Sequence, residues 1–130
     1  LKNNKSILLI VAISLITAAL HLLAGPGYTG PFRPFVTGYL IDLVLPMNLY
    51  LLLQVGGRKH FSINTTRIGA AVFTFGFGVL VETLQHFKID FLGRTYDPWD
   101  LLMYAAGVCL GLAIDLRILE PLEKEAGKNQ

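Results

Sequence analysis

Charge is the first thing this chain lacks. Over residues 6–32 there is no Asp, Glu, Lys or Arg, and charged side chains make up only 15% of the 130 residues. Soluble domains carry about a quarter charged residues, so a soluble globular class is excluded. Cysteine is almost missing. The one cysteine, Cys109, lies inside an apolar run, so no intrachain disulfide can form and the chain is silent on redox compartment. Clustered positive charge is missing too. The formal net charge is +2, and no basic stripe with interleaved aromatics occurs, which argues against nucleic acid as a partner. No glycine-rich phosphate loop precedes a helix, and no nucleophile-plus-base signature is visible. The serines, Ser6, Ser14 and Ser62, all fall toward one end of the expected helices.

Apolar side chains are what the sequence has in quantity. They form 53% of the residues, and the mean hydropathy is +0.55. The length bounds the chain to one domain. The pattern predicts an all-α, polytopic integral membrane bundle of four transmembrane helices, over residues 6–24, 35–55, 66–87 and 98–119. Gly25-Pro26-Gly27 ends the first and opens a loop to Pro34 that holds three prolines and three glycines in all. Pro46 should kink the second helix, and Gly56-Gly57-Arg58-Lys59 should end it. Gly69, Gly76 and Gly78 should let another backbone approach the third. The charged tail from Glu120 is expected to fray. Lys2, Lys5 and the apolar run after them resemble a signal peptide. The small-x-small cleavage pattern is poor, however, since Leu22 and Leu23 precede Ala24, so the segment reads as a membrane helix.

Positive charge sets the expected orientation. With four spans, the N-terminus, the loop after the second helix and the C-terminus share one side. That side holds Lys2, Lys5, Arg58, Lys59, Arg67, Arg117, Lys124 and Lys128, and the other holds Arg33, Lys88 and Arg94. The excess marks the first side as cytoplasmic, with both termini inside. The chain is then a multi-pass protein of the cell (inner) membrane, with membrane lipid as its solvent.

The polar residues gather on the opposite, outer side. His21, Asp42, Glu82, Gln85, His86, Asp97, Asp100 and Tyr104 fall at one level, while the cytoplasmic half offers almost none within the membrane. Each ionisable group at membrane depth costs about 2.5–3.5 kcal/mol on insertion scales, so a shared site is a natural reading. Glu82, Gln85 and His86 stand at i, i+3 and i+4 on one helical face. Asp97, Asp100, Tyr104, Gly107 and Gly111 form a second stripe, polar at the outer end and small further in. Plainer explanations exist for each. Asp97 before Pro98 reads as a helix N-cap, and Asp100 as a complement to the helix dipole. Glu82 could pair with Arg94, and Asp42 could form an interhelical hydrogen bond. His21 and His86 at one depth suggest a haem or metal pair, but their spacing is no motif, and no cofactor is expected.

Glu82-x-x-Gln85, then Arg94-x-x-Asp97-x-x-Asp100, then Gly107-x-x-x-Gly111 resembles the VanZ-like membrane proteins. The likeness covers roughly the last third of the chain. One position departs: the family usually has Asn four residues after the second Asp, where this chain has Tyr104, which brings a hydroxyl and a larger side chain. The resemblance implies a cell-envelope membrane protein linked to low-level resistance to teicoplanin, a glycopeptide that binds cell-wall precursors. The expected function is binding of a lipid-linked or glycopeptide ligand through Asp42, Glu82, Gln85, Arg94, Asp97, Asp100 and Tyr104. Two other readings stay open. One is a structural or assembly subunit of a larger membrane complex. The other is an enzyme acting on a lipid-linked envelope substrate, since closely packed carboxylates in a low-dielectric site can serve as acid and base.

Overall fold

A computed structural model of the chain describes residues 1, 3–23, 27–89 and 97–128. The helices in chain order are α1 (Asn4–Leu23), α2 (Arg33–Gly38), α3 (Leu40–His60), α4 (Ile63–His86), α5 (Pro98–Ile114) and α6 (Glu120–Lys128). A π-helical turn, Asp115–Leu119, joins α5 to α6, so Pro98–Lys128 is one helical run. No strand occurs among the described residues. Four of these segments, α1, α3, α4 and the run from α5 through α6, are long and apolar enough to cross a membrane. At a rise of 1.5 Å per residue, the 20 residues of α1 span about 30 Å, the thickness of a bilayer's hydrocarbon core.

The distribution of side chains is that of a protein dissolved in lipid. Ser6, Thr17, Gln54, Thr66, Thr74, Glu82, Gln85 and Asp115 are buried, while Leu8, Leu15, Ile16, Ile68, Val72 and Phe73 are exposed. In water this pattern is unfavourable in both directions; in hydrocarbon the polar groups belong inside and the apolar ones outside. The protein is a polytopic all-α membrane bundle.

Helices α3, α4 and α5 pack mutually, and α1 lies against α3 and touches α6. The α3–α5 contact is set by glycine. A Cβ on Gly107 would run into the Leu43 carbonyl, and one on Gly111 would lie 2.8 Å from Tyr50 Cδ1 and 3.2 Å from the Met47 carbonyl oxygen. Between helices in lipid, where no hydrophobic driving force acts, such close backbone approach is a main source of stability. Across α1 and α3, Ser14 Oγ donates to Asn48 Oδ1 at 2.8 Å.

Several boundaries differ from those expected. The second helix begins at Leu40 rather than 35, because Tyr39 (φ −118) separates it from the short α2. It also runs on through Gly56-Gly57-Arg58-Lys59 to His60. Arg58 Nε donates to Gln54 Oε1 one turn back (3.0 Å), and Gly57 makes room for Thr66, whose Cγ2 would lie 2.5 Å from a Cβ there. Ser62 then caps α4 by accepting from Thr65 N at 3.2 Å, so α4 starts three residues early and a two-residue turn links the helices. The glycines of α4 do not admit a backbone: Gly69 and Gly76 have nothing within 4 Å, and Gly78 receives the Tyr104 ring. The tail does not fray at Glu120. Asn3 Nδ2 donates to the Leu122 carbonyl at 2.7 Å, and Asn3 N donates to Glu123 Oε1 at 3.1 Å, tying α6 to the start of α1.

The end that carries the chain termini also holds the network that the polar pattern failed to suggest. Asp115, in the π turn, is fully buried. Its Oδ1 pairs with Arg58 Nη2, its Oδ2 accepts from Arg67 Nε at 2.7 Å, and the Tyr50 hydroxyl donates to Oδ2 at 3.4 Å. Arg67 Nη2 continues to Glu120 Oε2 (2.7 Å), and Lys124 Nζ reaches Glu120 Oε1 (2.6 Å). One carboxylate therefore fastens α3 and α4 to the π turn. A π turn adds a residue to the helical circuit and often marks a special site; here it brings Asp115 and Leu119, both fully buried, to the inside.

Two outcomes test this account. Asp115→Asn keeps the shape but leaves two arginines without their shared charge, and should destabilise the fold by about 3–5 kcal/mol, read as an earlier transition in denaturing-detergent titration. Gly107→Val should lower the thermal midpoint in mild detergent, whereas Gly69→Val, whose new side chain meets open space, should leave it unchanged.

Candidate functional site

At the opposite end of the bundle, three helices bring acidic groups to one level. Helix α4 supplies Glu82 and Gln85, one turn apart on its inward face and both buried. Helix α5 supplies Asp97, Asp100 and Tyr104, and α3 supplies Asp42. The Tyr104 hydroxyl donates to Glu82 Oε1 at 3.3 Å. Its ring lies over Gly78, where a Cβ would come within 2.5 Å of Tyr104 Cδ2. Gly78 and Tyr104 are therefore a matched pair: the missing side chain on α4 admits the large one on α5, and the hydroxyl reaches a carboxylate one turn further along α4. Neither the pairing nor the role of Gly78 was legible from spacing, because it joins two helices whose facing was unknown.

Asp97 caps its helix as its sequence context suggested, and it also makes a contact that the sequence did not suggest. Its Oδ1 accepts from Trp99 N at 3.0 Å, capping α5, with Pro98 at the first helical position. Its Oδ2 accepts from the Tyr39 hydroxyl at 3.3 Å, which ties α5 to the start of α3. The negative charge of Asp97 beside the Tyr39 phenol raises its pKa above the ordinary tyrosine value, with removal from water adding to the effect. Asp42 and Asp100 are half-buried, and each lies within electrostatic reach of Glu82 and Asp97 and of the other or of Tyr104. Among the described residues, no lysine or arginine forms an ion pair with any of these four carboxylates. Arg94, expected to join them, lies outside the described residues.

A cleft of about 240 Å³ opens beside the cluster, lined by Val79, Glu82, Thr83, His86 and Leu101. Glu82 is 2% exposed, and among the described residues its buried Oε2 has no hydrogen-bond partner, nor has the buried Gln85 Oε1. No family model matches the chain, and no curated protein or solved structure matches it either. The chemistry must therefore be read from the cluster itself.

The structure gathers Asp42, Glu82, Gln85, Asp97, Asp100 and Tyr104 at one end. It does not gather the histidines. His21 and His86 are exposed, on α1 and α4, so neither occupies the interior between helices that a haem pair requires. Among the described residues, no three of His, Cys, Asp and Glu are grouped closely enough to hold one metal ion. The Asp115 network at the other end overturns the expectation that the terminal half of the membrane region is nearly free of polar groups. Its signal was present: Asp115 and Arg117 interrupt the apolar end of the last span, and Arg58 and Arg67 flank the turn between two helices. Treating those arginines only as orientation charges concealed their partner.

The Tyr39–Asp97 contact has a spectroscopic consequence. Ionising Tyr39 would place a phenolate against a carboxylate, so it should ionise at higher pH than an ordinary tyrosine, and Asp97→Asn should bring that pH down. Alkaline ultraviolet difference spectra, each taken against the matching Tyr39→Phe protein, measure it.

Proposed function

We propose that this chain is a small VanZ-like membrane protein of the cell envelope that binds an amphipathic envelope ligand in a polar pocket at the outer face of the inner membrane. The observation that carries this reading is the convergence of Asp42, Glu82, Asp97, Asp100 and Tyr104 from three helices beside an open cleft. Structural glue alone would satisfy its own polar atoms, and here Glu82 Oε2 and Gln85 Oε1 are left over. The excess of Lys and Arg at the terminal end supports placing that end in the cytoplasm and the acidic cluster outside. A lipid-linked wall precursor or a glycopeptide would be met on that side, in keeping with the teicoplanin link that the resemblance implies.

Each residue then has a task. Glu82, Asp97 and Asp100 accept hydrogen bonds from the ligand or hold its positive charge. Gln85 and Tyr104 orient it, with Tyr104 positioned by its ring against Gly78. Arg94 pairs with a carboxylate or with a phosphate on the ligand. Asp42 adds negative charge within electrostatic reach of Glu82. A second reading, a subunit of a larger membrane complex, draws support from the open faces at Gly69 and Gly76 on α4, where another helix could pack closely.

Native mass spectrometry of the gently purified protein beside Glu82→Ala decides between them. A bound mass present in the wild type and lost in the variant is the expected result. If neither protein retains a specific small molecule while a protein partner co-purifies, the subunit reading replaces the binding one.

A further inference from the structure

The two ends of the bundle treat buried carboxylates in opposite ways. At the terminal end Asp115 receives two guanidinium groups and a phenol hydroxyl. The atoms left without partners there, among the described residues, are Arg58 Nη1, Gln54 Nε2 and the Ser6 hydroxyl, each able to donate. At the acidic end Glu82 receives one phenol hydroxyl on Oε1, and the atoms left over, Glu82 Oε2 and Gln85 Oε1, are acceptors. A buried carboxylate oxygen with no donor is costly, the more so within a membrane. What the acidic end lacks is therefore a compact group with several N–H donors and a positive charge.

The cleft narrows the chemistry. Val79 and Leu101 give it apolar lining, and Glu82, Thr83 and His86 give it polar lining. A ligand filling it needs a charged head for Glu82 and an apolar body for the walls. The described donors are spread too widely to form a group of three about a single metal ion. An ammonium group meets that need: it carries one positive charge and three N–H donors, one of which can reach the open oxygen of Glu82.

We infer that the Glu82 cleft binds a primary ammonium group carried on an apolar chain, with Glu82 Oε2 as its acceptor and Val79 and Leu101 against the chain. This rests on the ligand-binding reading above and names the ligand's head group. The source is either an amine-headed membrane lipid or a free amphipathic amine.

The test is calorimetric titration of the full chain in a neutral maltoside detergent with octylamine, octanol, octanoate and magnesium ion alone. Glu82→Gln, which keeps the shape and removes the charge, serves as the variant, with folding followed by its thermal transition. Saturable octylamine binding, weakened about tenfold or more in Glu82→Gln, with octanol and octanoate binding far more weakly, is the expected result. Native mass spectrometry from nanodiscs of mixed phosphatidylethanolamine and phosphatidylglycerol then separates the sources. Retained phosphatidylethanolamine, lost in Glu82→Gln, assigns the lipid; octylamine binding without it assigns a free amine. If octanol binds as tightly as octylamine, or Glu82→Gln binds octylamine as well as wild type, the ammonium assignment is wrong while the pocket stands. Magnesium binding that excludes octylamine overturns it in favour of a metal ion. If no probe binds, the pocket reading falls with it. Should Glu82→Gln fail to fold, Asp42→Asn and Asp100→Asn take its place, and undiminished octylamine binding in both overturns the inference.

Discussion

The carboxylate of Asp115 holds the bundle at its terminal end. It is fully buried, and it is shared by Arg58 at the end of α3 and Arg67 near the start of α4. Taking three such charges out of water is expensive, and their mutual attraction repays the cost only when every partner is in place. The π turn, the two-residue link between α3 and α4, and the helical tail all follow from satisfying that one group. The tail is drawn in because Arg67 reaches on to Glu120, and Asn3 then clasps Leu122 and Glu123.

With one end fastened, the glycine seam governs the rest of the bundle. Gly107 and Gly111 let α5 lie against the α3 backbone, which places Tyr104, one turn before Gly107, between α3 and α4. Gly78 on α4 leaves space for its ring, and the hydroxyl meets Glu82. The large Tyr104 thus comes with a compensating glycine across the interface. The acidic cluster is positioned by packing deeper in the bundle rather than by a salt-bridge network of its own among the described residues.

That difference gives the molecule a polarity beyond its topology. Positive and negative groups at the terminal end answer each other, while the carboxylates at the far end are answered by two tyrosine hydroxyls and a helix N-terminus. A membrane protein that only needed to stay folded could replace such carboxylates with apolar side chains at no loss of stability. Their presence beside a cleft, with acceptor atoms to spare among the described residues, is what supports the binding function proposed above.

The sequence by itself determined the class, the four spans, the level at which the residues of the acidic cluster lie, the cap at Asp97 and the glycine stripe on α5. All of these are local: they depend on apolar run length, on residues three or four apart, or on a side chain bonding two residues ahead. Only the tertiary structure decided that Asp115 meets Arg58 and Arg67, 57 and 48 residues away. It also decided that Tyr104 meets Glu82, that α3 continues past its double glycine, and that the tail is helical. Those outcomes depend on how each helix is rotated about its axis against its neighbours, and in a chain whose helices are apolar nearly all round, no one-dimensional periodicity records that rotation.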